Sequence, residues 1–182
     1  MRPHAGSRRE SGKRCGHTRG KQVVARDEAL RRVRAAIDAR EQGADVLILA
    51  RTDARGPLGL DEALWRGQAF ADLGADIVFV EAPGSEAEMQ RICEGIRAPQ
   101  LANLVEGGDT PVLPPARLAA LGYRIAAYPL TLLSAAARAM QDALAALARG
   151  ETPARLLEFT ELRALVGFDA YDAALERYGK PD

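Results

Sequence analysis

Residues 46–53 read Val-Leu-Ile-Leu-Ala-Arg-Thr-Asp. Five apolar residues run without alternation, and then the chain turns polar. Such a run suits a strand buried on both faces, as in a parallel sheet covered by helices. Ligands of parallel sheets sit at the carboxyl ends of the strands. Arg51, Thr52 and Asp53 stand at that end, which makes Arg51 a candidate for holding an anion over the sheet.

The same design recurs down the chain. Ile77–Val80 ends in Glu81, Gln100–Ala102 ends in Asn103, and Ile125–Ala127 ends in Tyr128-Pro129. The words before the first two runs match as well, Gly43-Ala44-Asp45-Val46 against Gly74-Ala75-Asp76-Ile77. A spacing of about 30 residues is one βαβ unit.

Helical periods fill the gaps. Leu30, Val33 and Ile37 mark a helix over Asp27–Glu41, and Leu60 to Leu73 mark another, with Asp61 and Glu62 favouring its N-terminus. Trp65 reads as packing. Ser85 and Glu88 form a capping-box pattern before Met89, Ile92, Cys93 and Ile96, so Cys93 reads as a small buried hydrophobe. Leu118 and Leu121 mark a short helix, and Leu133 to Leu147 a long one stopped by Gly150. Two more helical stretches follow Pro153, at Leu156–Val166 and Asp169–Arg177. The expected organisation is a basic disordered tail over 1–12, a partial (βα) barrel with a catalytic-type loop over 13–150, and a helical extension over 151–182. Four βα units fit either an open four-stranded α/β sheet or half of an eight-stranded barrel, which needs about 250 residues.

Composition narrows the function classes. Lys plus Arg and Asp plus Glu are 25 each in 182 residues, so net charge favours no partner. No run of 18 apolar residues offers a membrane span, and the N-terminus lacks an apolar signal region. Two cysteines make no disulfide framework. The expected compartment is reducing and soluble, the cytoplasm, or a plastid in a plant or alga. The tail's arginines lack aromatic residues or a basic fold behind them, which argues against nucleic acid.

Residues 13–21 read Lys-Arg-Cys-Gly-His-Thr-Arg-Gly-Lys, a loop by composition. Cys15 sits among Lys13, Arg14 and His17, an environment that favours thiolate. The alternative is a solvated basic loop with an incidental thiol. With two Cys and two His in the chain, zinc is a poor fit.

Five motifs then occur in order: Lys-Arg-Cys-Gly-His at 13–17, Ala-Arg-Thr-Asp-Ala at 50–54, Val-Glu-Ala-Pro at 80–83, Leu-Ala-Asn-Leu-Val-Glu-Gly-Gly at 101–108 and Ala-Tyr-Pro-Leu-Thr-Leu-Leu at 127–133. Together they resemble the isocitrate lyase / phosphoenolpyruvate mutase superfamily, from about Lys13 onward. The tail Gly-Phe-Asp-Ala-Tyr at 167–171 looks most like its petal death protein and carboxyvinyl-carboxyphosphonate phosphorylmutase branch.

The resemblance implies the C-terminal half of a (βα)8 TIM-type barrel with C-terminal helices. It implies Mg²⁺ and a small di- or oxo-carboxylate, and cleavage of a C–C bond in 2-substituted malate-like or oxaloacetate-like acids. It makes Cys15 the acid that protonates the departing carbanion, with His17 supporting the loop and Gly16 offering a backbone N–H to a carboxylate. Arg51 would clamp a carboxylate, Glu81 would orient the metal-bound end, and Asn103 would bind the second carboxylate. An enolate needs fixed donors where charge develops, and a placed acid to finish the proton transfer.

The pattern also departs from the family's. Where methylisocitrate lyases carry an arginine soon after Tyr-Pro, Ser134 stands, with Arg138 a turn later, which favours a substrate smaller than a tricarboxylate. The metal-binding Asp-x-Asp-x-Gly-[Tyr/Phe]-Gly stretch is absent, so no metal ligand is assigned. A truncated lyase, weak or inactive alone, is therefore expected. The alternatives are a non-catalytic half-barrel that forms a homo-oligomer or docks on a full-length homologue, and an oxaloacetate decarboxylase or phosphonate-processing (carboxyphosphonoenolpyruvate mutase-like) enzyme.

Overall fold

The computed structural model describes residues 22–179. Two compact units divide at Thr131 and Leu132.

In the first unit the helix α1 (Arg26–Glu41) precedes four strands: β1 (Leu49–Thr52), β2 (Ile77–Val80), β3 (Gln100–Asn103) and β4 (Tyr123–Ala127). Between them lie the single turn α2 (Arg55–Leu58), then α3 (Leu60–Asp72), α4 (Glu86–Gly95) and α5 (Pro115–Leu121). All strands are parallel, in the order β1-β2-β3-β4. Sequence order without reversal is the winding of a (βα) barrel rather than of a doubly wound sheet. The fold is thus the half-barrel of four βα units that the motifs imply.

Sequential winding puts the helices on one face. Helix α3 packs on β1 and β2, α5 packs on β4, and α4 links α3 to α5. Ala50, Val78 and Val80 point into that layer with Ala63, Phe70, Ile92 and Ile96. A second cluster joins Met89, Ala102, Leu104, Leu118, Leu121 and Tyr123. Met89 and Ile92 are fully buried, worth about 2 kcal/mol each in apolar transfer.

Residue alternation sends Leu49, Arg51, Phe79, Leu101, Asn103 and Ile125 to the opposite face. That face corrects the reading of β1. The strand begins at Leu49, not Val46; Val46 and Leu47 are exposed, and burial along β1 alternates. Among the described residues β1 is an edge strand covered by helices on one side only, so Leu49 stays 42% exposed and a doubly buried strand does not form.

The repeated Gly-Ala-Asp word has a mechanical reason. Gly43 and Gly74 end α1 and α3 with φ of +112° and +103°, a conformation that favours glycine. The Asp76 carboxylate then accepts the Ile48 N–H (2.7 Å) and pairs with Arg40, tying α1 to the starts of β1 and β2.

The second unit starts at the second residue of α6 (Thr131–Ala148), which is followed by α7 (Phe159–Leu165) and α8 (Phe168–Tyr178), close to the expected spans. Arg163 pairs with Asp172 at 2.6 Å and lies over the Phe168 ring, joining α7 to α8. Leu133, Met140, Leu144 and Leu147 are all exposed on α6. No helix among the described residues is long and apolar enough to cross a membrane.

An ion cluster fixes the chain where it enters α1. Glu62, in the first turn of α3, accepts from Arg26 (3.0 Å) and Arg66 (2.8 Å), and the buried Arg66 donates to the Val24 carbonyl (2.9 Å). Arg26 also lies 3.9 Å over the Trp65 ring, so Trp65 does pack, under a guanidinium at the surface. Hydrogen bonds from Arg26, opposed by burial and helped by Arg66, hold the Glu62 carboxyl down to about 2. A depressed carboxyl stabilises the fold fully above its ordinary value of 4.5, and that contribution is lost as pH falls toward 2. Glu62→Gln should cost about 1–3 kcal/mol at pH 7 in urea unfolding, with the gap to wild type closing between pH 4.5 and 2.5. Parallel pH profiles would contradict this.

Candidate active site

The strand ends place three charged side chains together. Arg51, the third residue of β1, and Asp53, just past it, are two apart and share a side. The Arg51 guanidinium donates to both Asp53 oxygens, Nε to Oδ2 at 2.9 Å and Nη2 to Oδ1 at 2.8 Å. Its Nη2 also lies 3.1 Å from Oε2 of Glu81, which ends the neighbouring β2. The contact with Glu81 is an ion pair short of a directed hydrogen bond; Oε2 accepts none among the described residues. The Phe79 ring lies beneath, 4.9 Å from the Arg51 guanidinium carbon. Register alone sets this: Arg51 pairs with Phe79 and Thr52 with Val80, so Glu81 follows directly, and its N–H donates to the Thr52 carbonyl at 3.0 Å.

Glu81 is 2% exposed, whereas Arg51 lies on the open face. A carboxylate out of water with one oxygen lacking a hydrogen bond is costly unless a cation stands next to it. Arg51 supplies that cation while still reaching the surface. A guanidinium held by carboxylates at a strand end is fixed in orientation.

Asn103 ends β3 half-buried, on the same face by alternation. Beyond it Glu106 accepts from the Thr131 hydroxyl, which holds the Glu106 carboxyl below the usual range. The structure thus brings Arg51 and Glu81 into contact and sets Asn103 two strands along. Cys15, Gly16 and His17 lie outside the described residues.

No motif role falls on Asp53, although its spacing from Arg51 signals one. The turn after Glu81 has no local signature in the sequence. Ala82 is buried with φ of +57°, a conformation that costs a non-glycine residue about 1–3 kcal/mol. The Glu88 carboxylate does not close the capping box onto Ser85. It accepts the Gly84 N–H (2.7 Å) and two bonds from Arg55 (2.9 and 3.0 Å), while the Ser85 hydroxyl caps the Glu88 N–H as expected.

Among the described residues no three His, Cys, Asp or Glu side chains gather as a metal's ligands would. Asp53 and Glu81 are already engaged by Arg51. These residues do not by themselves fit the Mg²⁺ site that the resemblance implies.

A family model described as phosphoenolpyruvate phosphomutase matches residues 9–148. The chain belongs to the phosphoenolpyruvate phosphomutase family. Among its relatives in that family, the 2,3-dimethylmalate lyase of Eubacterium barkeri is 45% identical over 161 residues, covering 86% of this chain and 55% of that protein. The petal death protein of Dianthus caryophyllus is 34% identical over 87% of this chain and 51% of its own length. A solved structure of oxaloacetate acetylhydrolase with the inhibitor 3,3-difluorooxalacetate superposes with a TM-score of 0.83 at 32% identity, covering 93% of this chain and 59% of that one. The chain spans about half the length of the curated relatives it matches.

Cys93 is half-buried against the second core cluster, and burial pushes its thiol up to about 11. In a Cys15→Ser chain, iodoacetamide at pH 8 should leave Cys93 unmodified until denaturant is added. Alkylation of the native chain within minutes would show that Cys93 is a reactive thiol after all.

Proposed function

We propose that the chain carries the carboxylate-binding side of a Mg²⁺-dependent C–C bond lyase acting on 2-substituted malate-like or oxaloacetate-like acids. The carrying observation is the Arg51–Asp53–Glu81 cluster at the carboxyl ends of parallel strands, with a buried carboxylate oxygen that accepts no hydrogen bond among the described residues. In this reading Arg51 clamps a substrate carboxylate, Asn103 binds the second, and Glu81 orients the reacting end. For a 2-hydroxy acid the C2–C3 bond breaks, its electron pair stays on C3 as an enolate, and the 2-hydroxyl gives its proton to solvent water as it becomes the carbonyl. Cys15 then gives its thiol proton to C3 and regains one from solvent, with Gly16 offering a backbone N–H to a substrate carboxylate and His17 supporting the loop. The similarity to a 2,3-dimethylmalate lyase and to an oxaloacetate acetylhydrolase supports this substrate size.

The described residues gather no metal cluster, so turnover by this chain alone should fall far below the roughly 1–10³ s⁻¹ common among enzymes. The assay is release of keto acid from 2,3-dimethylmalate, and of oxalate from oxaloacetate, with Mg²⁺ present. Trace cleavage that disappears in Cys15→Ser and in Arg51→Gln is the expected result. Cleavage unchanged by Cys15→Ser would remove that thiol from the reaction and favour decarboxylase or phosphonate chemistry on the same scaffold. Turnover in the ordinary enzyme range would refute the expected weakness.

A second reading has its own observation. Among the described residues β1 and β4 each lack an outer strand, and Leu49 and Ile125 are exposed on the open face. A half-barrel that buries these edges against another copy or a full-length homologue would be an assembly module. Light scattering separates the readings, because a stable monomer of 19.5 kDa speaks against assembly.

A further inference from the structure

We propose that Glu88 and Arg55 are positioning residues, forming a brace that holds Ala82 in its left-handed conformation and thereby sets the Glu81 carboxylate against Arg51. The inference rests on reading Arg51 and Glu81 as the substrate end of the sheet, and it adds residues to which neither the motifs nor the spacing assigns a role there.

The brace spans two strand ends. Arg55 opens the single turn α2, two residues after Asp53 at the end of β1. Glu88 lies in the first turn of α4, seven residues after Glu81 at the end of β2. Their bond is bidentate, Nε to Oε2 at 2.9 Å and Nη2 to Oε1 at 3.0 Å, which fixes orientation as well as distance. Glu88 Oε2 also takes the Gly84 N–H at 2.7 Å. The loop between Glu81 and α4 is thus gripped by a carboxylate from one side and a guanidinium from the other.

Gly84 shows how tight the grip is. A Cβ built there would stand 2.3 Å from Arg55 Nη2, so any side chain would displace the guanidinium. Inside the gripped loop Ala82 has φ of +57° and is buried. No other non-glycine residue described has positive φ. Strain of this kind persists only where the surroundings over-determine it. Ala82 follows Glu81 directly, so relaxing its φ swings the backbone that aims the Glu81 side chain. Asp109, beyond β3, also acts electrostatically on Arg55.

The test uses the full chain, labelled with ¹⁵N-arginine and ¹³C-glutamate. The readouts are the Arg51 Nε–H resonance and the Glu81 carboxyl resonance, assigned with Arg51→Lys and Glu81→Gln. Glu88→Ala should move both away from their wild-type positions. Adding Ala82→Gly should bring both most of the way back, because glycine adopts positive φ without the brace. If Glu88→Ala does not fold, the same comparison runs on Glu88→Gln, which keeps an acceptor for the Gly84 N–H. Resonances unmoved by the Glu88 change, or moved equally with and without Ala82→Gly, overturn the proposal and leave Glu88 as a prop for α4. These signals report the brace whether or not the chain cleaves 2,3-dimethylmalate, so failure of the functional reading is seen separately in the assay.

Discussion

A carboxylate taken out of water needs a cation beside it, and Glu81 is such a carboxylate. Arg51 meets the need from the next strand, and the arrangement follows from the parallel register that sets β1 beside β2. The same guanidinium also holds Asp53 and lies over Phe79. The strand ends are therefore locked by one residue that faces both the sheet and the open side. Replacing Arg51 removes the countercharge of a buried group, so its loss bears on stability as well as on ligand binding.

The helices and loops maintain that register. Two glycines of positive φ end α1 and α3, and Asp76 ties those helix ends to the strand starts. At the opposite strand ends the ties are ionic, through Glu62 to Arg26 and Arg66, and through Glu88 to Arg55. The open face carries Arg51 and Asn103 beside apolar Leu49 and Ile125. Membership of the phosphoenolpyruvate phosphomutase family accounts for this geometry.

Strand ends were the most legible part of the sequence. Each apolar run stopped at a polar or turn residue, and Arg51, Glu81 and Asn103 stand where those stops put them. The start of β1 was not legible. Val46–Ile48 is as apolar as a buried strand, but burial depends on what covers a strand, and among the described residues β1 is an edge. Local spacing gave Ser85 as a cap and misplaced the Glu88 carboxylate, because its partner Arg55 lies 33 residues away and no local pattern carries that distance. The positive φ of Ala82 was hidden for a related reason: alanine gives no sign of a conformation that its surroundings impose.

The most direct test of the account is a calorimetric titration of oxalate into the intact chain and into Arg51→Gln. Oxalate presents paired carboxylates of the kind proposed for the strand ends, and it requires no turnover. The account predicts saturable binding by the wild-type chain and its loss in Arg51→Gln, with circular dichroism showing both chains folded. Equal binding by the two, or no binding by the wild type, would contradict the claim that Arg51 at the end of β1 is built to hold a carboxylate.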